Sequence, residues 1–75
     1  MKFTIYGKQD CVFCDKARRL LKSKNLSFKY LQLDRDYTID DLWTKVKFTT
    51  YPQIFMDDCH VGGYDKLYKF IENQL

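Results

Sequence analysis

The chain has 75 residues, a net charge of +3 and 17% aromatic residues. A chain of this length buries only about 60% of its unfolded surface, so it reads as a single small domain, residues 1–75, that relies on large aromatic side chains for its core. No apolar run approaches the roughly 20 residues of a membrane span, no apolar leader opens the chain, and three cysteines, an odd number, argue against a secreted disulfide scaffold and for a reducing cytoplasm.

Residues 2–6 alternate, with Phe3 and Ile5 on one face and Thr4 and Tyr6 on the other, which predicts a strand that Gly7 interrupts. A helical pattern follows over Asp15 to Lys24, with Ala17, Leu20 and Leu21 inward and Lys24-Asn25 ending it. Its basic run (Lys16, Arg18, Arg19, Lys22, Lys24) reads as a solvated helix face rather than a nucleic-acid surface, because a nucleic-acid module would carry its own motif. Ser27 to Leu33 predicts a second strand, parallel to the first because a helix links them. Asp34 to Tyr37 reads as a polar connector. Thr38 caps a second helix, with Asp40 and Asp41 in its first turn and Leu42, Trp43 and Val46 on its apolar side. Thr49 to Pro52 breaks that pattern, and Gln53 to Met56 predicts a third strand. Asp57-Asp58 suits a hairpin turn into a short strand at Cys59 to Val61. Gly62-Gly63 opens a last helix in which Leu67, Phe70, Ile71 and Leu75 recur at helical spacing. The order is β-α-β-α-β-β-α, an α/β fold with a four-stranded mixed sheet and helices packed on its faces.

Chemistry concentrates where the first strand hands over to the first helix. Cys11 and Cys14 are spaced i, i+3 and share a helical face. Cys11 falls at the helix N-terminus, where unpartnered N–H groups and the macrodipole favour a thiolate. Cys14 lies a turn further in and should be more covered. An exposed thiolate that attacks and a shielded thiol that resolves make a redox pair. A metal is the alternative use, since Cys59 and His60 raise the potential zinc ligands to four. Zinc ligands normally come as spaced pairs, however, and adjacent strand residues point to opposite faces.

With that order in hand, the chain resembles the glutaredoxins of the thioredoxin superfamily. The resemblance is carried by Cys11-Val12-Phe13-Cys14, by Thr50-Tyr51-Pro52 (similar to the family's Thr-Val-Pro), by Gln53-Ile54-Phe55, and by His60-Val61-Gly62-Gly63-Tyr64. The first-helix segment and the Gly-Gly-Tyr-Asp-Lys-Leu ending look most like glutaredoxins of large DNA bacteriophages, which implies a host cytoplasm. The resemblance implies a thioredoxin-like fold and a dithiol oxidoreductase, with Cys11 as nucleophile and Cys14 as resolving thiol. It implies that Lys8 activates Cys11, as a neighbouring cation brings a thiol from about 8.5 into the range of about 3.5–7.5. It also implies a cis Tyr51–Pro52 bond facing the dithiol. Lys8, Phe13, Thr50, Tyr51, Pro52, Gly62, Gly63, Tyr64 and Asp65 would then form the glutathione and substrate site.

Glutathione enters as a co-substrate with no bound cofactor. Disulfide-bearing proteins such as ribonucleotide reductase are the implied clients, and a flavoprotein reductase is a second implied reductant. Neither nucleic acid nor membrane is an expected partner, and the chain reads as a monomer. An iron–sulfur cluster shared between subunits is known in the family mostly with monothiol or altered motifs, and is set aside along with zinc. Four positions depart from the family pattern. Val12 and Phe13 replace the common Pro-Tyr, Tyr51 replaces Val, and Lys66 stands where many members carry an acid, which should weaken the glutathione site.

Overall fold

The computed structural model describes residues 2–48 and 50–74. The elements are β1 (Phe3–Gly7), α1 (Val12–Ser23), β2 (Phe28–Gln32), α2 (Ile39–Trp43), β3 (Gln53–Met56), β4 (Cys59–Gly62) and α3 (Tyr64–Gln74). They form one mixed sheet in the order β2-β1-β3-β4, with β1 parallel to β2 and antiparallel to β3. This is the expected thioredoxin-like α/β arrangement. The places predicted for Leu75 and Thr49 lie outside the described residues.

The period-2 alternation of β1 sets the two faces. Phe3 and Ile5 point to the side covered by α1 and α3, where they join Ala17, Leu21, Ile54, Leu67 and Ile71 in one buried cluster. Burying a side chain such as Leu21 or Ile54 contributes about 1.5–3 kcal/mol, so these few residues carry much of the fold. Tyr6 points the other way, toward a second cluster built on Tyr37, Leu42 and Phe55. Its ring meets Tyr37 edge-on at 5.1 Å and Phe55 at 5.5 Å.

Local signals explain the boundaries. α1 ends in a paired-bond cap: Asn25, at φ 57°, donates to the Lys22 carbonyl at 3.0 Å, and Leu26 donates to the Leu21 carbonyl at 3.0 Å. Thr38 caps α2 through a reciprocal box, its Oγ1 accepting the Asp41 N–H at 3.2 Å while the Asp41 carboxylate accepts the Thr38 N–H at 2.9 Å. The β3–β4 turn is at Asp57-Asp58, with Asp57 at φ 54° and its N–H donating to the Lys2 carbonyl at 2.7 Å.

α1 begins at Val12, ahead of the pattern seen from Asp15, with Cys11 as its N-cap, so the dithiol stands at the helix N-terminus as expected. Three expectations need correction. Gly62 ends β4 rather than opening α3, which starts at Tyr64. Tyr37 is not part of a polar connector. It is buried, and its hydroxyl donates to the Gly7 carbonyl at 2.8 Å. Trp43 is not on the apolar side of α2. A helix of five residues turns only one side inward, Leu42 takes it, and Trp43 is left 41% exposed against Phe48 and beneath Lys47. Val46 and Phe48 reach the second cluster from beyond the helix.

Candidate active site

The chain leaves β1 at Gly7 and reverses at Asp10, whose φ of 54° lies in the left-handed region that Asp tolerates better than most residues. Cys11 follows in an extended conformation, φ −120° and ψ 105°, as the N-cap of α1. Its Sγ accepts the backbone N–H of Cys14 at 3.2 Å, and its carbonyl accepts the N–H of Asp15 at 3.2 Å. A sulfur thus occupies the place that Ser or Asp oxygens usually take at a helix start. Cys11 is partly exposed, whereas Cys14 is fully buried among the core residues. The two are joined in a disulfide with Cα atoms 5.2 Å apart, inside the usual range. The inequality expected from helix position is present.

Beside the dithiol lies a hollow of about 320 Å³ lined by Phe13, Thr50, Tyr51, Pro52, Gly63, Tyr64, Asp65 and Lys66. The Tyr51–Pro52 bond is cis, and Pro52 is fully buried. The loop is braced from behind by two residues to which the sequence reading gave no bracing role. Gln53, itself buried, donates from Nε2 to the Thr50 carbonyl at 2.9 Å, and His60 Nε2 lies 2.8 Å from Gln53 Oε1. Their only sequence signal is that both fall within motifs matched to the family.

Seven of the expected substrate-site residues therefore come together in this hollow: Phe13, Thr50, Tyr51, Pro52, Gly63, Tyr64 and Asp65. Gly62 and Lys8 do not line it. Gly62, at φ 127°, lets α3 approach: a Cβ there would stand 2.8 Å from Lys66 Cγ. Lys8 meets the site through Tyr51, with its Nζ 5.5 Å above that ring, and it opens onto a separate hollow with Gln32 and Arg35. Lys66, noted only as a departure from the family pattern, does line the main hollow, next to Asp65. Burial, and then the nearby Asp34 carboxylate, pushes the Tyr51 phenol above its ordinary value. Tyr51 therefore presents a neutral ring to Lys8.

Cys59 is exposed at the start of β4, and His60 is turned to Gln53. Among the described residues no three His, Cys, Asp or Glu side chains are grouped as a metal requires. The metal-binding alternative has no support. Among the same residues, no helix is long and apolar enough to cross a membrane.

A partly exposed sulfur at a helix start, bonded to a buried one, with Phe13 between the two lining a hollow that Pro52 also walls, defines a thiol–disulfide oxidoreductase of the thioredoxin superfamily. A family model for glutaredoxin matches residues 3–61. The chain belongs to the glutaredoxin family. It is 42% identical over 65 residues to glutaredoxin 3 of Escherichia coli K12, covering 85% of this chain and 78% of that protein. It is also 42% identical over 67 residues to the hybrid peroxiredoxin hyPrx5 of Haemophilus influenzae, covering 89% of this chain but spanning only 28% of that longer protein. Among solved structures, oxidised Escherichia coli glutaredoxin superposes with a TM-score of 0.84 at 26% identity, covering 100% of this chain and 98% of that one.

Proposed function

We propose that the chain reduces protein disulfides and glutathione mixed disulfides, with Cys11 as nucleophile and Cys14 as resolving thiol. The Cys11 thiolate attacks one sulfur of the substrate disulfide. The other sulfur leaves as a thiolate and takes up a proton. Cys14 then loses its proton and attacks Cys11 Sγ, which releases the second substrate thiol and leaves the Cys11–Cys14 disulfide. Two glutathione thiols return the two electrons and depart as glutathione disulfide.

The observation that carries this reading is the N-cap sulfur. In the reduced protein the same position offers the Cys14 N–H and the helix dipole to a thiolate, while Cys14 stays shielded. Lys8 adds a cation on the strand side, held over Tyr51. Glutathione fits the hollow chemically. Gly63 and the start of α3 suit its γ-glutamyl carboxylate, and Asp65 suits its ammonium. Tyr51 offers its backbone N–H and C=O to an extended thiol peptide, Thr50 and Pro52 flank it in the hollow, Phe13 and Tyr64 wall its apolar stem, and Gly62 gives α3 its close approach.

Lys66 sets a cation beside Asp65 and weakens the ammonium contact, which leaves room for a flavoprotein reductase to share the recycling. A reducing cytoplasm, that of the host if the phage-like segments reflect origin, fits these thiols, and ribonucleotide reductase is the client the family resemblance favours. Residues 1–75 act as one domain in this reading.

The test is kinetic. Cys11→Ser abolishes turnover on every disulfide. Cys14→Ser retains turnover on a small glutathione mixed disulfide, which needs no resolving thiol. Equal loss in both variants on that substrate would reject the assignment.

A further inference from the structure

The hollow beside the dithiol does not close at α3. Tyr64, which lines it, also lines two more: one along α3 with Asp65, Tyr68 and Lys69, and one along α1 with Lys16, Arg19, Leu20 and Ser23. Phe13, Tyr64 and Tyr68 form a row of rings with successive centroids 6.0 and 6.3 Å apart. The two ends of the row are half in water, Phe13 at 50% and Tyr68 at 45% exposed. An aromatic row exposed to this degree is available for a partner rather than for the core.

Cations border the row on both helices. Lys16 Nζ stands 5.0 Å above the Phe13 ring, Arg19 opens onto the α1 hollow, and Lys69 opens onto the α3 hollow. None of these three has an ion-pair partner among the described residues, whereas Asp15 is already paired with Arg18. Asp65 and Glu72 are the acids that α3 contributes nearby. The row begins at Phe13, between the two cysteines, so whatever lies on it reaches the dithiol.

We propose that this row is the docking surface for an acidic segment of the client protein, carrying an apolar or aromatic side chain and flanking the client's reactive disulfide. The proposal rests on the oxidoreductase reading above and adds what kind of polypeptide the site prefers. Carboxylates of the segment meet Lys16, Arg19 and Lys69, and its apolar side chain lies among the rings. At about 3.3 Å of extended chain per residue, a row of this length is covered by about four residues next to the client cysteine. Nucleic acid is the other polyanion that bases and rings attract, but it brings no disulfide to the dithiol, and Asp65 and Glu72 would face its phosphates.

Two synthetic peptides test this, each joined to glutathione through a single cysteine. One carries Glu-Phe-Glu within four residues of that cysteine and the other Lys-Phe-Lys. The acidic peptide is reduced roughly fivefold faster at low salt, and the two converge near 1 M salt, where screening reaches about 3 Å. The combined variant Lys16→Glu, Arg19→Glu, Lys69→Glu loses that preference while turning over the mixed disulfide of glutathione and mercaptoethanol at the original rate. Tyr68→Ser slows both peptides and leaves the small substrate alone. Equal rates for the two peptides, or a preference that survives the combined variant, overturns the docking surface while small-substrate turnover keeps the chemistry standing. A single-stranded oligonucleotide that blocks peptide turnover below the concentration needed by a thiol-free acidic peptide overturns it as well. Absence of small-substrate turnover in the unaltered protein overturns both proposals.

Discussion

Cys11 has a mechanical duty as well as a chemical one, and the two separate by mutation. Its Sγ accepts the Cys14 N–H at 3.2 Å and so satisfies one of the N–H groups that a helix start leaves without a partner. Cys11→Ser and Cys11→Ala both remove the disulfide and the nucleophile, so neither should turn over any substrate. They differ in the cap alone. Serine is among the preferred N-cap residues and alanine among the poor ones, a difference of about 0.5–2 kcal/mol and typically about 1. In a domain of this size about 1 kcal/mol moves the melting midpoint by roughly 4–8 °C. Thermal unfolding followed by far-ultraviolet circular dichroism, with reductant present throughout, should therefore place Cys11→Ser several degrees above Cys11→Ala. Coincident midpoints would mean that the sulfur contact does not hold the start of α1, and the account of the thiolate drawn from the same contact would lose its footing.

Tyr37→Phe should cost only the lower part of the usual range of about 0.5–1.5 kcal/mol for a lost hydrogen bond, because the Gly7 carbonyl keeps the Leu33 N–H at 2.9 Å; denaturant midpoints measure it. The phenols of Tyr30, Tyr37 and Tyr51 are all raised, each chiefly by burial, so the folded chain holds protons that the unfolded chain releases near pH 10. Stability should accordingly be unaffected below that pH and fall above it, and less steeply in Tyr37→Phe; urea unfolding across the alkaline range decides the sign. Gly62→Ala should destabilise the β4–α3 junction, since it combines a φ of 127° with a Cβ 2.8 Å from Lys66 Cγ; a lower melting midpoint would register the strain. Lys66→Asp should tighten glutathione use by no more than several-fold, the scale of a surface charge pair at about 0.2–1 kcal/mol, and an unchanged glutathione dependence would remove Lys66 from the site.

What could be read in the sequence was local. The alternation of β1, the cap box at Thr38, the Asn25 stop and the Asp57 turn each depend on residues a few positions apart, and each is present in the fold. The same is true of the dithiol, where position in the first turn already separates the exposed sulfur from the buried one. The errors share a different origin. Tyr37 follows three charged residues and looked like connector, yet its place is decided by a carbonyl at Gly7, thirty residues earlier. Trp43 has the composition of a core residue, but it stands about 100° round α2 from Leu42, which takes the inward side. Gly62 reads as the opening of a helix, yet the pairing of β4 with β3 carries the strand through it and α3 starts only at Tyr64.

The docking row lies across that same divide. Tyr64 and Tyr68, four apart on one helix, are visible as neighbours in the sequence alone. Phe13 joins them only because α1 and α3 pack side by side over Phe3 and Ile5. The interhelix core that buries Leu21, Leu67 and Ile71 therefore also aligns the rings leading to Cys11. A substitution deep in that core can then disturb client choice without touching either cysteine.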